Sequence, residues 1–163
     1  MSGGPLYPSS ITFVTSNKVG PGVHVGNAAT GLRRTRGIQV IASLDADADV
    51  EMTFEMPSSL PSGTPKLRLL GRRVTIGTSG VITIKVDWAS VAVGEDPSLM
   101  AYLSESPIGI TFPSSASEPF VEQKVSLIAD TVTANEIICM RLRFLAGSTV
   151  AAVTTWEPSH VWE

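Results

Sequence analysis

The stretch Asp49-Val-Glu-Met-Thr-Phe-Glu-Met56 decides the fold class of this chain. Every second residue in it is apolar, and the residues between are acidic or threonine. Because successive side chains of a β-strand point to opposite faces, this period of two predicts a strand with one buried and one solvent-facing side. The same alternation returns in residues 82–88 (ITIKVDW) and 138–144 (ICMRLRF). Three half-buried strands indicate antiparallel sheets.

Weaker strand signals bring the total to about eight, each bounded by turn-forming residues. These weaker segments are residues 11–15, 38–43, 66–70, 121–129 and 150–156. Helical periodicity is limited to one or two turns after Asp96-Pro97. Since no helix is available to cover the apolar faces, a second sheet must cover them. The sequence therefore predicts an all-β, two-sheet antiparallel sandwich, with a jelly roll favoured over an up-and-down barrel.

The connections between strands are expected to be local. Residues 45–49 and 77–80 carry the Asp, Gly and Ser residues of tight turns. The first would join the strand at 38–43 to the strand beginning at Val50, and the second would join 72–76 to 81–88. We therefore expect strands that are neighbours in sequence to pair as hairpins.

The first 36 residues differ in composition from the rest. They are rich in Gly, Pro, Ser and Asn, and residues 20–22 read Gly-Pro-Gly. Such a segment buries little apolar surface to offset its ordering entropy. We predict an N-terminal arm over 1–36 and a sandwich domain over 37–163. The arm is expected to dock on a neighbouring copy in a homo-oligomer, so residues 1–22 should be dispensable for folding.

Composition argues against two classes of partner. The 163 residues suit one domain, and the formal net charge is −3. Nucleic-acid binding draws on surplus Lys and Arg, so nucleic acid is not an expected partner. No stretch is long and apolar enough to span a membrane, and the N-terminus has no basic segment followed by an apolar run. We expect synthesis in a host cytoplasm and no membrane partner.

Alternate carboxylates at Asp45, Asp47 and Asp49 resemble the opening of a calcium loop. The pattern then departs from such a loop, because Val50 and Met56 stand where Gly and Glu are required. A solvated acidic turn is the favoured interpretation. The three aspartates remain a weak calcium candidate, and no other metal site is predicted.

No catalytic group of residues is evident. Cys139 is the single cysteine, and His24 and His160 are the two histidines, so neither an intrachain disulfide nor a zinc site of usual spacing can form. Neither histidine lies in a motif with a nucleophile and an acid. Glu51 and Glu55 share a strand face, as a pair of glycosidase carboxylates would, but such pairs are common on surfaces. We predict no enzyme activity and no cofactor.

Arginine and tryptophan residues are the main candidates for contacts with partners. Arginines cluster in three places, namely Arg33, Arg34 and Arg36, then Arg72 and Arg73, then Arg141 and Arg143. These clusters fit an interface between subunits and fit ion pairs with Glu51, Glu55 and Glu122 of neighbouring strands equally well. Trp88 shares the apolar face of its strand and is expected in the core. Trp156 and Trp162 lie near the C-terminus and are expected to be exposed, where they would stack on a partner or a sugar. The predicted contact residues are Leu6, Tyr7, Arg33, Arg34, Arg36, Trp156 and Trp162.

From about residue 38 onward, several motifs carry a resemblance to a known family. They are Val50-Glu-Met-Thr-Phe-Glu-Met-Pro57, Lys66-Leu-Arg-Leu69, residues 78–88, Gly94-Glu-Asp96 and the strand at 138–144. In these the chain resembles short jelly-roll proteins encoded among the virion genes of tailed bacteriophages. The family often has an Arg–Asp pair after the last of these strands, where this chain has Ala146-Gly-Ser-Thr149.

The resemblance implies a structural virion protein that decorates or cements the capsid, with a major capsid or other virion protein as its partner. It would place the protein in the virion. The alternative is a carbohydrate-binding, lectin-like β-sandwich module, for which a glycan would be the ligand and exposed aromatic side chains the platform.

Overall fold

The computed structural model describes residues 4–14, 18–25, 34–41, 44–73, 79–96, 101–114, 120–127, 132–150 and 153–163, and no helix occurs among them. Eleven strands lie in this part of the chain. They are β1 (Ser10–Phe13), β2 (Val19–Val25), β3 (Arg34–Val40), β4 (Ala48–Glu55), β5 (Pro65–Arg73), β6 (Gly80–Val91), β7 (Leu103–Ser104), β8 (Ile108–Phe112), β9 (Phe120–Ser126), β10 (Ile137–Phe144) and β11 (Thr154–Trp162).

The strands form two antiparallel sheets. The six-stranded sheet has the order β1-β4-β10-β6-β7, and β8 pairs with β6 beside β7. The five-stranded sheet has the order β2-β3-β11-β5-β9. The predicted all-β sandwich of two sheets is therefore confirmed.

From β3 onward the chain runs as a jelly roll. β3, β5, β9 and β11 lie in the five-stranded sheet, and β4, β6, β8 and β10 lie in the six-stranded sheet. Within each sheet the last strand in sequence inserts between early ones, which is the paired Greek key of a jelly roll. β1, β2 and β7 extend the sheets at their edges.

The two predicted hairpins are wrong. The connection through residues 45–49 joins β3 to β4, and the connection after Arg73 joins β5 to β6; both pass from one sheet to the other. The turn-forming residues show that the chain reverses there. They do not show which sheet receives the next strand, because each half-buried strand can cover an apolar face on either layer.

The core lies between the sheets and follows the period of two. Along β4 the buried and less buried positions alternate, and the apolar residues of β10 and β6 continue the same buried face. Trp88 is fully buried there, as predicted. The largest buried side chain on the opposite sheet is Trp156, with its ring 5.5 Å from that of Phe112 and 6.1 Å from that of Phe144.

The prediction that Trp156 is an exposed contact residue is wrong, since its exposed fraction is 0%. Residues 154–162 are not a tail. They form β11, which pairs with β3 on one side and β5 on the other. Gly71 of β5 makes room for the indole, because a Cβ built there would lie 2.5 Å from a ring carbon of Trp156.

The beginning of the chain connects the two sheets. Leu6 exchanges two backbone hydrogen bonds with His160 of the five-stranded sheet, at 2.9 and 2.7 Å. From Ser9 onward the chain pairs with β4 of the six-stranded sheet. We call residues 6–13 the N-terminal strap. Three of its apolar side chains, Leu6, Ile11 and Phe13, pack against the core.

The predicted division at residues 36 and 37 falls inside β3, so the sheets do not follow it. The described parts of residues 1–36 are paired into the sandwich rather than extended from it. Their Gly- and Pro-rich sequence is tolerated because β1 and β2 are edge strands, which leave one row of backbone groups unpaired.

Candidate functional site

The outer face of the six-stranded sheet carries polar side chains in continuous rows. The strand registers place one residue from each of five strands side by side, at a spacing of about 4.8 Å per strand, or about 19 Å in total. This row consists of Thr12, Glu51, Arg141, Asp87 and Ser104. The adjacent row consists of the smaller residues Ser10, Thr53, Cys139 and Ala89.

Ion pairs and hydrogen bonds hold the charged side chains of this face in place. They join Arg141 Nη2 to Glu51 Oε1 at 2.9 Å, Arg143 Nε to Asp49 Oδ1 at 2.9 Å, and Lys85 Nζ to Asp87 Oδ1 at 3.5 Å. Ser104 Oγ also donates to Asp87 Oδ1 at 2.6 Å. The hydrogen bond that Arg141 donates to Glu51 raises the pKa of the Arg141 guanidinium, which stays charged. The row is therefore preorganised.

A cleft of about 230 Å³ opens over these rows. Its lining comes from the strap, the middle of the sheet and the segment before β7. The lining residues are Ser10, Thr12, Glu51, Met52, Thr53, Tyr102, Cys139 and Met140. Tyr102 stands at its side with 42% of its surface exposed, and the guanidinium of Arg141 lies 5.8 Å from the centre of the Tyr102 ring.

The hydroxyl groups in the cleft are also ordered. Thr53 Oγ1 lies 2.6 Å from Ser10 Oγ and 3.0 Å from Ser9 Oγ, and Ser9 Oγ donates to the carbonyl oxygen of Thr53 at 3.2 Å. Each hydroxyl retains further capacity to donate or accept. Cys139 lies half-buried at the floor, and burial, followed by the charge of Glu51, raises the pKa of its thiol.

This combination suits a ligand with both apolar and hydroxylated faces. An aromatic ring offers an apolar surface with little loss of conformational entropy, and the fixed hydroxyl and carboxylate oxygens offer directional hydrogen bonds. From the sequence Glu51 was interpreted as half of a carboxylate pair and as an ion-pair partner for arginines of neighbouring strands, and the structure pairs it with Arg141. Tyr102, Ser10 and Thr12 were missed, because no local pattern marks them and only the strand order brings them together.

The three aspartates of the weak calcium candidate have separate partners. Asp45 pairs with Lys18 at 3.1 Å, and this hydrogen bond lowers the pKa of the Asp45 carboxyl. Asp47 accepts from the backbone N–H of Ala146 at 2.8 Å, and Asp49 binds Arg143. Across the described part of the chain, no group of three or more His, Cys, Asp or Glu residues is arranged to hold a metal ion. The candidate calcium site is therefore not formed.

Leu6, Tyr7 and Trp162, the other predicted contact residues whose side chains are described, do not line the cleft. Leu6 and Tyr7 are in the strap, with Tyr7 50% exposed, and Trp162 is partly buried with its ring 4.5 Å from that of His160. Arg33 lies outside the described residues, and Arg34 and Arg36 lie in β3 with their side chains outside that description. Contacts with a partner stay predictions for Leu6, Tyr7, Arg33, Arg34, Arg36 and Trp162. No helix in the described ranges is long and apolar enough to cross a membrane.

Comparison with known proteins gives a likeness of fold. No family model and no curated protein matches the chain. An exo-β-agarase aligns over 96% of this chain with 9% identity and a TM-score of 0.52, and this chain spans 23% of the agarase. A carbohydrate-binding module specific for non-crystalline cellulose aligns over 91% of this chain and 78% of its own, with 8% identity and a TM-score of 0.48.

A family 11 carbohydrate-binding module from Clostridium thermocellum, in complex with a β-1,3-1,4-mixed-linked tetrasaccharide, aligns over 93% of this chain and 86% of its own. Its identity is 13% and its TM-score 0.45. Of these three, only the agarase exceeds a TM-score of 0.5, and at 9% identity it supports the shared sandwich fold alone.

Proposed function

We propose that this chain is a carbohydrate-binding β-sandwich module that binds a glycan in the cleft of the six-stranded sheet. The observation that carries the proposal is the half-exposed ring of Tyr102 beside fixed hydroxyl and carboxylate groups. About a quarter of the agarase chain shares the fold, and the proposal rests on the cleft and not on that likeness.

The chemistry of a sugar ring matches this lining. Its C–H face would pack on the tyrosine ring, and its hydroxyls would exchange hydrogen bonds with Thr12, Thr53 and the free oxygen of Glu51. A cleft of about 230 Å³ is smaller than the roughly 300–1,000 Å³ of pockets that enclose a drug-sized ligand. It therefore suits one or two sugar rings of a longer chain.

Binding is favoured over hydrolysis at this site. Glycoside hydrolysis uses two carboxyl groups on either side of the scissile bond. Among the residues that line the cleft in the described structure, Glu51 supplies the single carboxylate, and it is bound to Arg141 at 2.9 Å. A paired general acid with a raised pKa is not provided there.

The test is a glycan array followed by calorimetry on the wild type, Tyr102→Ala and Tyr7→Ala. Tyr7 is the matched control, because its exposed fraction of 50% is close to the 42% of Tyr102 and it does not line the cleft. We expect Tyr102→Ala to weaken binding by about tenfold or more, as loss of a stacking aromatic does, and Tyr7→Ala to bind as the wild type. Absence of any glycan ligand, or full affinity in Tyr102→Ala, would refute the proposal.

A structural role in a virion is a second candidate, implied by the sequence resemblance. The observation that favours it is a pair of half-exposed apolar side chains, Tyr7 in the strap before β1 and Val14 directly after β1, which is an edge strand. Such side chains suit contact with a neighbouring protein chain. Sedimentation of the wild type against the double variant Tyr7→Ser, Val14→Ser tests it: self-association that the substitutions do not reduce would count against this candidate.

A further inference from the structure

Resting on the proposed function, we infer that the cleft selects uncharged glycans and discriminates against acidic ones, such as polymers of uronic acids or sulfated sugars. The basis is the charge of the cleft lining and the pairing of the cations around it.

The charge that the cleft presents is negative. Among its described lining residues Glu51 is the one charged side chain, with 41% of that side chain exposed. A ligand carboxylate or sulfate in a cleft of this size would lie within several ångströms of it. Two like charges at 4 Å repel by about 1 kcal/mol in water and by more beside a protein surface.

The cations of this face are already engaged. Arg141 is bound to Glu51 and stacked against Tyr102, Arg143 makes two contacts with the carboxylate of Asp49, and Lys85 pairs with Asp87. Each of these three cations thus has a carboxylate partner, and Glu55, exposed on the same face of β4, adds a fourth carboxylate to this face. An acidic ligand would compete with Glu51 for the guanidinium of Arg141, whereas a neutral ligand can add hydrogen bonds to the existing pair.

The surroundings of two other groups in the cleft also disfavour a negative charge, chiefly through burial. Burial raises the pKa of the Cys139 thiol, and the Glu51 carboxylate raises it further. Burial also raises the pKa of the Tyr102 hydroxyl, with added contributions from Cys139 and Glu51. In both cases the surroundings disfavour a new negative charge, which is what an acidic glycan would bring.

The experiment compares neutral polysaccharides with acidic counterparts by affinity electrophoresis and calorimetry at low salt. The probes are hydroxyethylcellulose with carboxymethylcellulose, galactan with polygalacturonate, and agarose with carrageenan. We expect at least one neutral member to bind and its acidic counterpart to bind about tenfold or more weakly, with the difference narrowing at high salt. An acidic member that binds as tightly as its neutral counterpart would overturn the inference.

Glu51→Gln isolates the charge responsible. It keeps a hydrogen-bond acceptor but leaves Arg141 without its anion, so the affinity for the acidic member relative to that for its neutral counterpart should rise by about tenfold, whatever the substitution does to neutral binding. The control is Glu122→Gln, which removes the same charge from an Arg–Glu pair on the five-stranded sheet, Arg68 to Glu122 at 2.6 Å. Equal effects of the two substitutions would contradict the inference.

The two proposals fail differently. If neither neutral nor acidic polysaccharides bind, both the proposed function and the inference about charge selectivity are refuted. If acidic polysaccharides bind best and Tyr102→Ala abolishes that binding, the cleft is a glycan site and the inference on its charge is wrong.

Discussion

The stability of this sandwich should depend on pH through one buried histidine. His160 has 0% of its surface exposed, and neither ring nitrogen has a hydrogen-bond partner. Its ring lies between those of Phe54 and Trp162, at centroid distances of 6.0 and 4.5 Å. Burial in these surroundings lowers its pKa from 6.5 to about 4. The folded protein therefore holds a neutral imidazole at pH values where the unfolded chain binds a proton.

The size of the effect follows from the two pKa values. Above pH 6.5 the histidine is neutral in both states and adds no pH dependence. As the pH falls below 6.5 the unfolded state takes up a proton that the folded state does not, and the free energy of unfolding decreases. At 1.36 kcal/mol per pKa unit the loss is about 2 kcal/mol at pH 5 and approaches about 3 kcal/mol near pH 4. For a single domain this is a large share of the total stability.

Urea unfolding followed by tryptophan fluorescence at pH 7.5, 6, 5 and 4.5 measures this dependence. The control is His160→Leu, which removes the titrating group and two unpaired polar atoms while keeping a similar volume. We expect the variant to be as stable as the wild type or more so at pH 7.5, and to lose about 2 kcal/mol less between pH 7.5 and 5. The reasoning is refuted if the wild type and the variant lose the same free energy over this range.

Two further substitutions test the packing described above. Phe13→Ala in the strap should lower the free energy of unfolding by about 1–2 kcal/mol, because the ring packs partly against the core. Val14→Ala should change it by less than about 0.5 kcal/mol, because that side chain is half-exposed. Equal effects of the two substitutions in urea unfolding would argue against the strap as part of the core. Gly71→Ala should cost about 1–3 kcal/mol, since the new methyl group would displace the Trp156 ring, and Gly20→Ala, with open space around it, is its control. A wild-type unfolding midpoint for Gly71→Ala would show that the core tolerates the displacement.

The strands that could be predicted from the sequence are those whose burial alternates. β4, the centre of β6 and β10 each bury every second residue, so their apolar pattern marks them directly. β2 was missed because Gly and Pro dominate its first half, a composition that an edge strand tolerates and a central strand does not. β8 was missed because it is short and lies between Pro107 and Pro113.

Pairing and position could not be obtained from local patterns. Trp156 was expected near a free end because it is close to the C-terminus, yet β11 inserts between β3 and β5. The cleft could not be predicted from the sequence for the same reason. Thr12, Glu51, Tyr102 and Cys139 come from four distant parts of the sequence, and only the order of the strands brings them together.

The register of β4 determines both which side chains form the core and which line the cleft. In β4, Met52 points into the core and its neighbour Glu51 points into the cleft. A slip of β4 by one residue would place Glu51 in the apolar interior without Arg141 and expose Met52, so the register that buries the core also fixes the polar row. Folding of the sandwich in this register therefore also fixes which charged side chains line the cleft and how far apart they lie. A substitution that changes a lining side chain without altering this alternation should change ligand binding and leave the fold intact.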